Sequence, residues 1–98
     1  MNRTSEVIEA AVKALTERLG EGFDGVAKFA IEGEGAIIID ADGVRADDAE
    51  ADVTLSADAE TFRAILEGEI NPTAAFMSGR LTVDGDMGLA MKLGSILA

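Results

Sequence analysis

The sequence predicts an α+β domain, a mostly antiparallel sheet covered by helices, and three observations carry that expectation. Apolar residues recur at helical spacing in some segments and alternate at strand spacing in others. Glycine, asparagine and proline fall at the joins between those segments. The resulting order, α-β-β-(β)-β-α-α-β-α, groups strands and then helices instead of alternating them. Ninety-eight residues suffice for one modest core, so residues 1–98 read as a single domain.

The first helix is predicted over 4–19. Val7, Ile8, Ala11, Val12, Leu15 and Leu19 share one arc, while Glu6, Glu9, Lys13 and Glu17 fill the other. Thr4 or Ser5 can cap its start and Gly20 suits its end. Strands follow over 25–31 and 36–40, joined by Glu32-Gly33-Glu34-Gly35. Phe29 and Ile31 share one face of the first strand, and Lys28 lies on the other. A turn at Asp42-Gly43 leads to a short edge strand over 44–46. The strand over 51–56 puts Val53 and Leu55 on one face, with Asp52 and Thr54 opposite. Ser56 or Asp58 caps a helix carrying Ala59, Phe62, Ile65 and Leu66, which Gly68 stops. Asn71-Pro72 opens a short helix over 73–78 that ends at Gly79. A last strand over 80–84 turns Leu81 and Val83 inward, and Gly85-Asp86 opens a terminal helix to about Leu97.

Composition excludes several functions. Nineteen acids against eight bases give a net charge of −11, which repels nucleic acid and anionic membrane surfaces. The longest apolar run, 35–39, is far too short to cross a bilayer, so no stable membrane insertion is expected. The start has Glu6 close behind Arg3 and no apolar stretch, so no secretory signal is expected. With no cysteine there is no disulfide framework, and a cytoplasmic setting is the simplest reading. With no histidine either, no Ser-His-Asp or Cys-His arrangement can be built, and an enzyme is not expected.

Two acidic motifs invite a catalytic or metal reading and fail it. Asp40-Ala41-Asp42-Gly43, followed by Asp47, Asp48, Glu50 and Asp52, lacks the ligand spacing of a calcium loop. Asp84-Gly85-Asp86 reads as a turn plus a helix cap at Asp86, with no sugar-sized cleft implied around it. No metal site and no cofactor are expected.

The terminal helix is unusual in carrying two apolar stripes. Leu89, Leu93, Ile96 and Leu97 form one; Met87, Ala90, Met91 and Gly94 form its neighbour. Such a helix is expected to bury two surfaces, a sheet on one side and something adaptable on the other, for which methionine is suited. The short helix before it carries Ala74, Ala75, Phe76 and Met77 in succession and is expected to be wrapped in apolar surroundings. Plain core and an apolar pocket for a fatty ligand both fit this periodicity.

From Gly68 onward the order of residues resembles the sterol carrier protein 2 family. That family has a helix followed by G–[KR]–x–x–P, an apolar short helix, then G–[KR]–[LV]–x–[IV]–x–G–[DN] and a final amphipathic helix. Gly79, Arg80, Leu81, Val83, Gly85 and Asp86 match the second element in full, followed by Ala90 and Leu93. Strands 25–31 and 51–56 also resemble the family's, so the likeness spans nearly the whole chain. Glu69 departs from the first element, replacing the basic residue after Gly68, which weakens the expectation of an anionic headgroup there. The hairpin's second strand lacks the family's aromatic, and Ile96, Leu97 and Ala98 form no peroxisomal signal.

The resemblance implies a five-stranded sheet with helices around an apolar tunnel for sterols, fatty acids or fatty acyl-CoA, and no catalysis. By motif position the implied tunnel wall includes Phe76, Met77, Leu81, Val83, Met87 and Met91, with Phe62 and Ile65 from the facing helix. The expected role is binding and transfer of a lipid or fatty acyl ligand. The alternative is an accessory or protein-interaction module with a vestigial tunnel, for example in quinone-lipid biosynthesis. A homodimer or a protein partner stays open in either case.

Overall fold

The computed structural model describes residues 6–19 and 23–97. The expected caps Thr4 and Ser5, the stop at Gly20 and the last residue, Ala98, lie outside the described residues. Helix α1 (Glu6–Leu19) leads to strands β1 (Ala27–Glu32), β2 (Gly35–Asp40), β3 (Gly43–Ala46) and β4 (Val53–Asp58). Helices α2 (Ala59–Leu66) and α3 (Pro72–Met77) follow, then β5 (Thr82–Gly85) and α4 (Met87–Leu97).

The sheet runs β3-β2-β1-β4-β5. Three of its pairings are antiparallel, and β1 with β4 is parallel. A parallel pair cannot be closed by a hairpin. The chain therefore goes out through β2 and β3 and returns across both of them to reach β4. Segment 47–52 makes that return. Lys28 Nζ meets Asp48 Oδ1 at 2.8 Å and ties the segment to the sheet. Because Lys28 alternates with Ala27 and Phe29, this tie lies on the face away from the helices. Ile38, in register with Lys28 and Arg45, is buried on that same face.

All four helices contribute to one core on the other face. Ile8, Ala11, Leu15 and Leu19 of α1 meet the alternate residues Ala27, Phe29, Ile31, Ile37, Ile39, Val53, Leu55 and Ala57. Phe29 and Phe62 pack with ring centroids 5.0 Å apart, tilted by 37°. Asp58 caps α2 by accepting from Thr61 N–H at 2.7 Å, while Ser56, the other expected cap, stays within β4. Asn71 caps α3 by accepting from Thr73 N–H at 2.8 Å, with Pro72 at its first position. Asp86 caps α4 by accepting from Leu89 N–H at 3.1 Å.

One residue joins three helices. Arg18, in the last turn of α1, donates to the Leu66 carbonyl at 2.7 Å and to the Leu97 carbonyl at 2.8 Å. Both acceptors belong to final helical turns, where carbonyls lack intrahelical partners and carry partial negative charge.

Two expectations about the helices are corrected. α3 is not wrapped in apolar surroundings, since only Pro72 and Ala75 are buried while Ala74, Phe76 and Met77 are exposed. A six-residue helix at the rim of the fold has one inward side, and Ala75 occupies it. In α4 the buried stripe is Ala90, Leu93 and Leu97, with Leu89 and Ile96 only half-buried. Ala90 thus belongs to the core stripe, which passes between the two apolar stripes read from the sequence.

Candidate functional site

Helices α3 and α4 stand side by side over strands β4 and β5, and they do not close against each other. At Gly94 of α4 an added methyl carbon would sit 3.9 Å from the Pro72 ring of α3. A groove of about 400 Å³ lies between them, with Pro72 and Gly94 in its lining. Its floor is Leu55, Leu81 and Val83 from the sheet side; its walls are Phe76 and Met77 of α3 and Met87, Ala90 and Met91 of α4.

The chain reaches this arrangement through two tight steps. At Gly79 the backbone turns out of α3, and Arg80 and Leu81 N–H both donate to the Ala75 carbonyl, at 2.9 and 3.1 Å. Leu81 is thereby driven inward beneath α3 and is buried. At Gly85 the end of β5 lies against the start of β4, and a Cβ there would overlap the Asp52 carbonyl. Asp86 N–H donates to that same carbonyl at 2.9 Å, which fixes where α4 begins and where Met87 points.

Six of the eight residues implied by the motif therefore share one groove: Phe76, Met77, Leu81, Val83, Met87 and Met91. Four of them are large apolar side chains open to water, with Phe76 41%, Met77 79%, Met87 47% and Met91 72% exposed. Isolated exposed hydrophobics are ordinary, whereas these four meet at one groove and make a contiguous apolar surface. Phe62 and Ile65 are not brought there. Both are buried in the core, Phe62 against Phe29, because α2 crosses β1 and β4 on the side toward α1. The hollow is accordingly a groove open to solvent, bounded by α3, α4, β4 and β5, and not a tunnel closed by α2. Sequence reading missed Leu55, Pro72, Thr73 and Ser95 as lining residues. Leu55 alternates like any core residue, and nothing local reveals which core residue floors a groove.

Two further hollows differ in chemistry. The larger, about 650 Å³, is polar, with Glu32, Asp58, Glu60, Arg63, Glu67 and Arg80 around it. Its size does not make it the site, because opposing charges on a wet surface hold no apolar guest. The other, about 630 Å³, lies between α1 and α2, where Val7, Ala10, Ala14 and Leu66 meet the edge of Phe62. It is rimmed by Glu6, Glu60, Arg63 and Glu67.

The acidic loops are engaged in structure. Asp40 accepts from Arg45, with an N–O approach of 3.0 Å, and from Asp42 N–H at 2.9 Å. The Arg45 hydrogen bond holds the Asp40 carboxyl below the usual carboxylate range. Asp47 lies 3.7 Å from Arg45.

Residues 5–98 match the model of the SCP-2 sterol transfer family. The chain belongs to that family. A hydroxysteroid dehydrogenase-like protein 2 of Xenopus laevis is 35% identical over 100 residues, covering 94% of this chain and 24% of that protein. The corresponding protein of Danio rerio is 54% identical over 48 residues, covering 49% of this chain and 12% of that protein. The SCP-2 chain thus spans a quarter or less of these relatives. Among solved structures, the crystal structure of sterol carrier protein 2 like 2 of Aedes aegypti superposes with a TM-score of 0.76. It is 24% identical, and the match covers 91% of this chain and 94% of that one. A UbiJ-SCP2 ubiquinone synthesis protein gives 0.57 at 19% identity, covering 95% and 79%. At these identities the likeness shows a shared SCP-2 fold. No helix among the described residues is long and apolar enough to cross a membrane.

Proposed function

We propose that this SCP-2 domain binds a lipid of the fatty, sterol-like or isoprenoid class in the α3–α4 groove and transfers it, without catalysing a reaction. The observation that carries this reading is the meeting of Phe76, Met77, Met87 and Met91 over a floor of Leu55, Leu81 and Val83. A volume of about 400 Å³ lies within the range of small-molecule sites. Each methylene covered there contributes about 0.8 kcal/mol, so about ten of them supply roughly 8 kcal/mol before the cost of association. Methionine walls repack around differently shaped guests, which suits a carrier. The groove offers two hydroxyls, Thr73 and Ser95, and no base beside them, which favours binding over chemistry. Palmitate in the solution structures of two Aedes aegypti sterol carrier proteins supports a fatty guest for this fold. The cytoplasmic setting read from the sequence belongs to the same proposal.

Paired substitutions on α4 test the reading. Met91→Glu places a carboxylate on an exposed position of the groove wall, so the fold persists and displacement of a fluorescent lipid is lost. Leu93→Glu buries an unpartnered charge at a position with 0% exposure and unfolds the domain. Thermal unfolding equally damaged in both variants would make Met91 core and remove the groove as the site. The second reading, an accessory or protein-interaction module, is favoured by the exposure of Met77 and Met91, which suits a docking surface equally well. Retention of Met91→Glu in a folded state with no change in lipid displacement would favour that reading.

A further inference from the structure

The groove differs from the rest of the surface in its charge. More than a quarter of the chain is charged, yet no charged side chain lines the groove among the described residues. Among the described residues its polar side chains are those of Thr73 and Ser95.

The described cations that make contacts are all turned elsewhere. Arg18 holds the Leu66 and Leu97 carbonyls. Lys28 and Arg45 pair with Asp48 and Asp40 beyond the far face of the sheet. Arg63 and Arg80 line the polar hollow beside Asp58. Lys92 neighbours Met91 in sequence, but its ammonium lies 5.6 Å from the Phe23 ring centre and 3.9 Å from Asp24. Meanwhile the Met87 end of the groove adjoins the exposed acid Asp86, whereas Asp84, in register with Thr54, lies on the opposite face of the sheet from Val83. Asp86 is fixed there as the cap of α4.

A fatty-acid anion entering this groove would leave water without meeting a cation among the described residues, on a chain of net charge −11. An alcohol or carbonyl head of equal chain length carries no such penalty and can hydrogen-bond a hydroxyl. Resting on the carrier reading above, we infer that the α3–α4 groove selects an uncharged long-chain ligand with a hydroxyl or carbonyl head over the carboxylate of the same chain.

Chain-matched dodecan-1-ol and dodecanoate, competing at neutral pH against a neutral pyrene-labelled long-chain alcohol, test this on the purified 98-residue protein. The alcohol is expected to displace the probe at a concentration at least about tenfold lower than the carboxylate. Ser95→Lys, at an exposed position, supplies the missing cation. It is expected to improve dodecanoate about tenfold relative to dodecan-1-ol, with thermal unfolding nearly unchanged. Dodecanoate matching or exceeding the alcohol on the unaltered protein overturns the inference and leaves the carrier reading standing. A probe that does not bind at all ends the carrier reading and the inference together. Failure of Ser95→Lys to improve dodecanoate while the alcohol still binds overturns the lining as the source of selection.

Discussion

Gly85 shows how one residue sets the site. Its φ of +108° is a backbone state that side-chain-bearing residues rarely adopt, and a Cβ would overlap main-chain atoms of Asp52 and Val53. Backbone cannot step aside as a flexible side chain can. Gly79, at the other end of β5, has φ +82° but open space around its missing side chain. Gly79→Ala is therefore expected to cost about 1–2 kcal/mol, the left-handed penalty alone. Gly85→Ala should cost about 3 kcal/mol or more, because strain and overlap add. Urea unfolding of both variants checks the order. Equal costs would mean that β4 shifts easily, and that the start of α4 is not held against Asp52.

Helix ends are where this domain uses its polar groups. Asp58 caps α2, and hydrogen bonds from the Thr61 hydroxyl and then its backbone N–H hold the Asp58 carboxyl below the usual carboxylate range. A carboxyl lowered on folding contributes stability that is fully present above the unfolded-state pKa, about 4. That contribution is lost as pH falls through the lower, folded value. Asp58→Ala is thus expected to lower the thermal midpoint at pH 7, and the gap to the unaltered protein should narrow once the pH drops below about 4. Thermal unfolding of both proteins at the two pH values measures it. A gap that stays constant with pH would place the benefit in packing of α2, not in its cap. Arg18 plays the complementary part at the C-terminal ends of α2 and α4.

For the molecule as a whole, charge opposes compactness. Nineteen acids and eight bases repel on balance, and the ion pairs of Lys28, Arg45 and Lys92 are at least partly exposed. Exposed pairs contribute about 0–1 kcal/mol each, too little to offset a net charge of −11 spread over so small a surface. Raising salt from about 0.01 M to about 1 M shrinks the screening length from about 30 Å to about 3 Å. The thermal midpoint at pH 7 is expected to rise across that range, followed by circular dichroism in sodium chloride. A falling midpoint would show that the ion pairs outweigh the repulsion.

The sequence by itself determined the elements and most of the core. Local periodicity is enough to place Ile8, Ala11, Leu15 and Leu19 on one face of α1, and Val53 and Leu55 on one face of β4. Caps at Asp58, Asn71 and Asp86 are equally local, because a cap acts within one turn. The motif from Gly79 to Asp86 brought six groove residues to notice. Only the tertiary structure decided which apolar residues face one another across a gap. Met91 and Leu93 lie two positions apart on α4 and are alike in hydropathy, yet one is 72% and the other 0% exposed. Phe62 and Phe76 read alike in the sequence, but Phe62 stacks on Phe29 while Phe76 stands at the groove. Periodicity gives a helix its apolar faces, but not its neighbours. Those are set by the return of segment 47–52 across the sheet, the clamp at Arg18 and the contact of Gly85 with Asp52, each joining residues far apart in the chain.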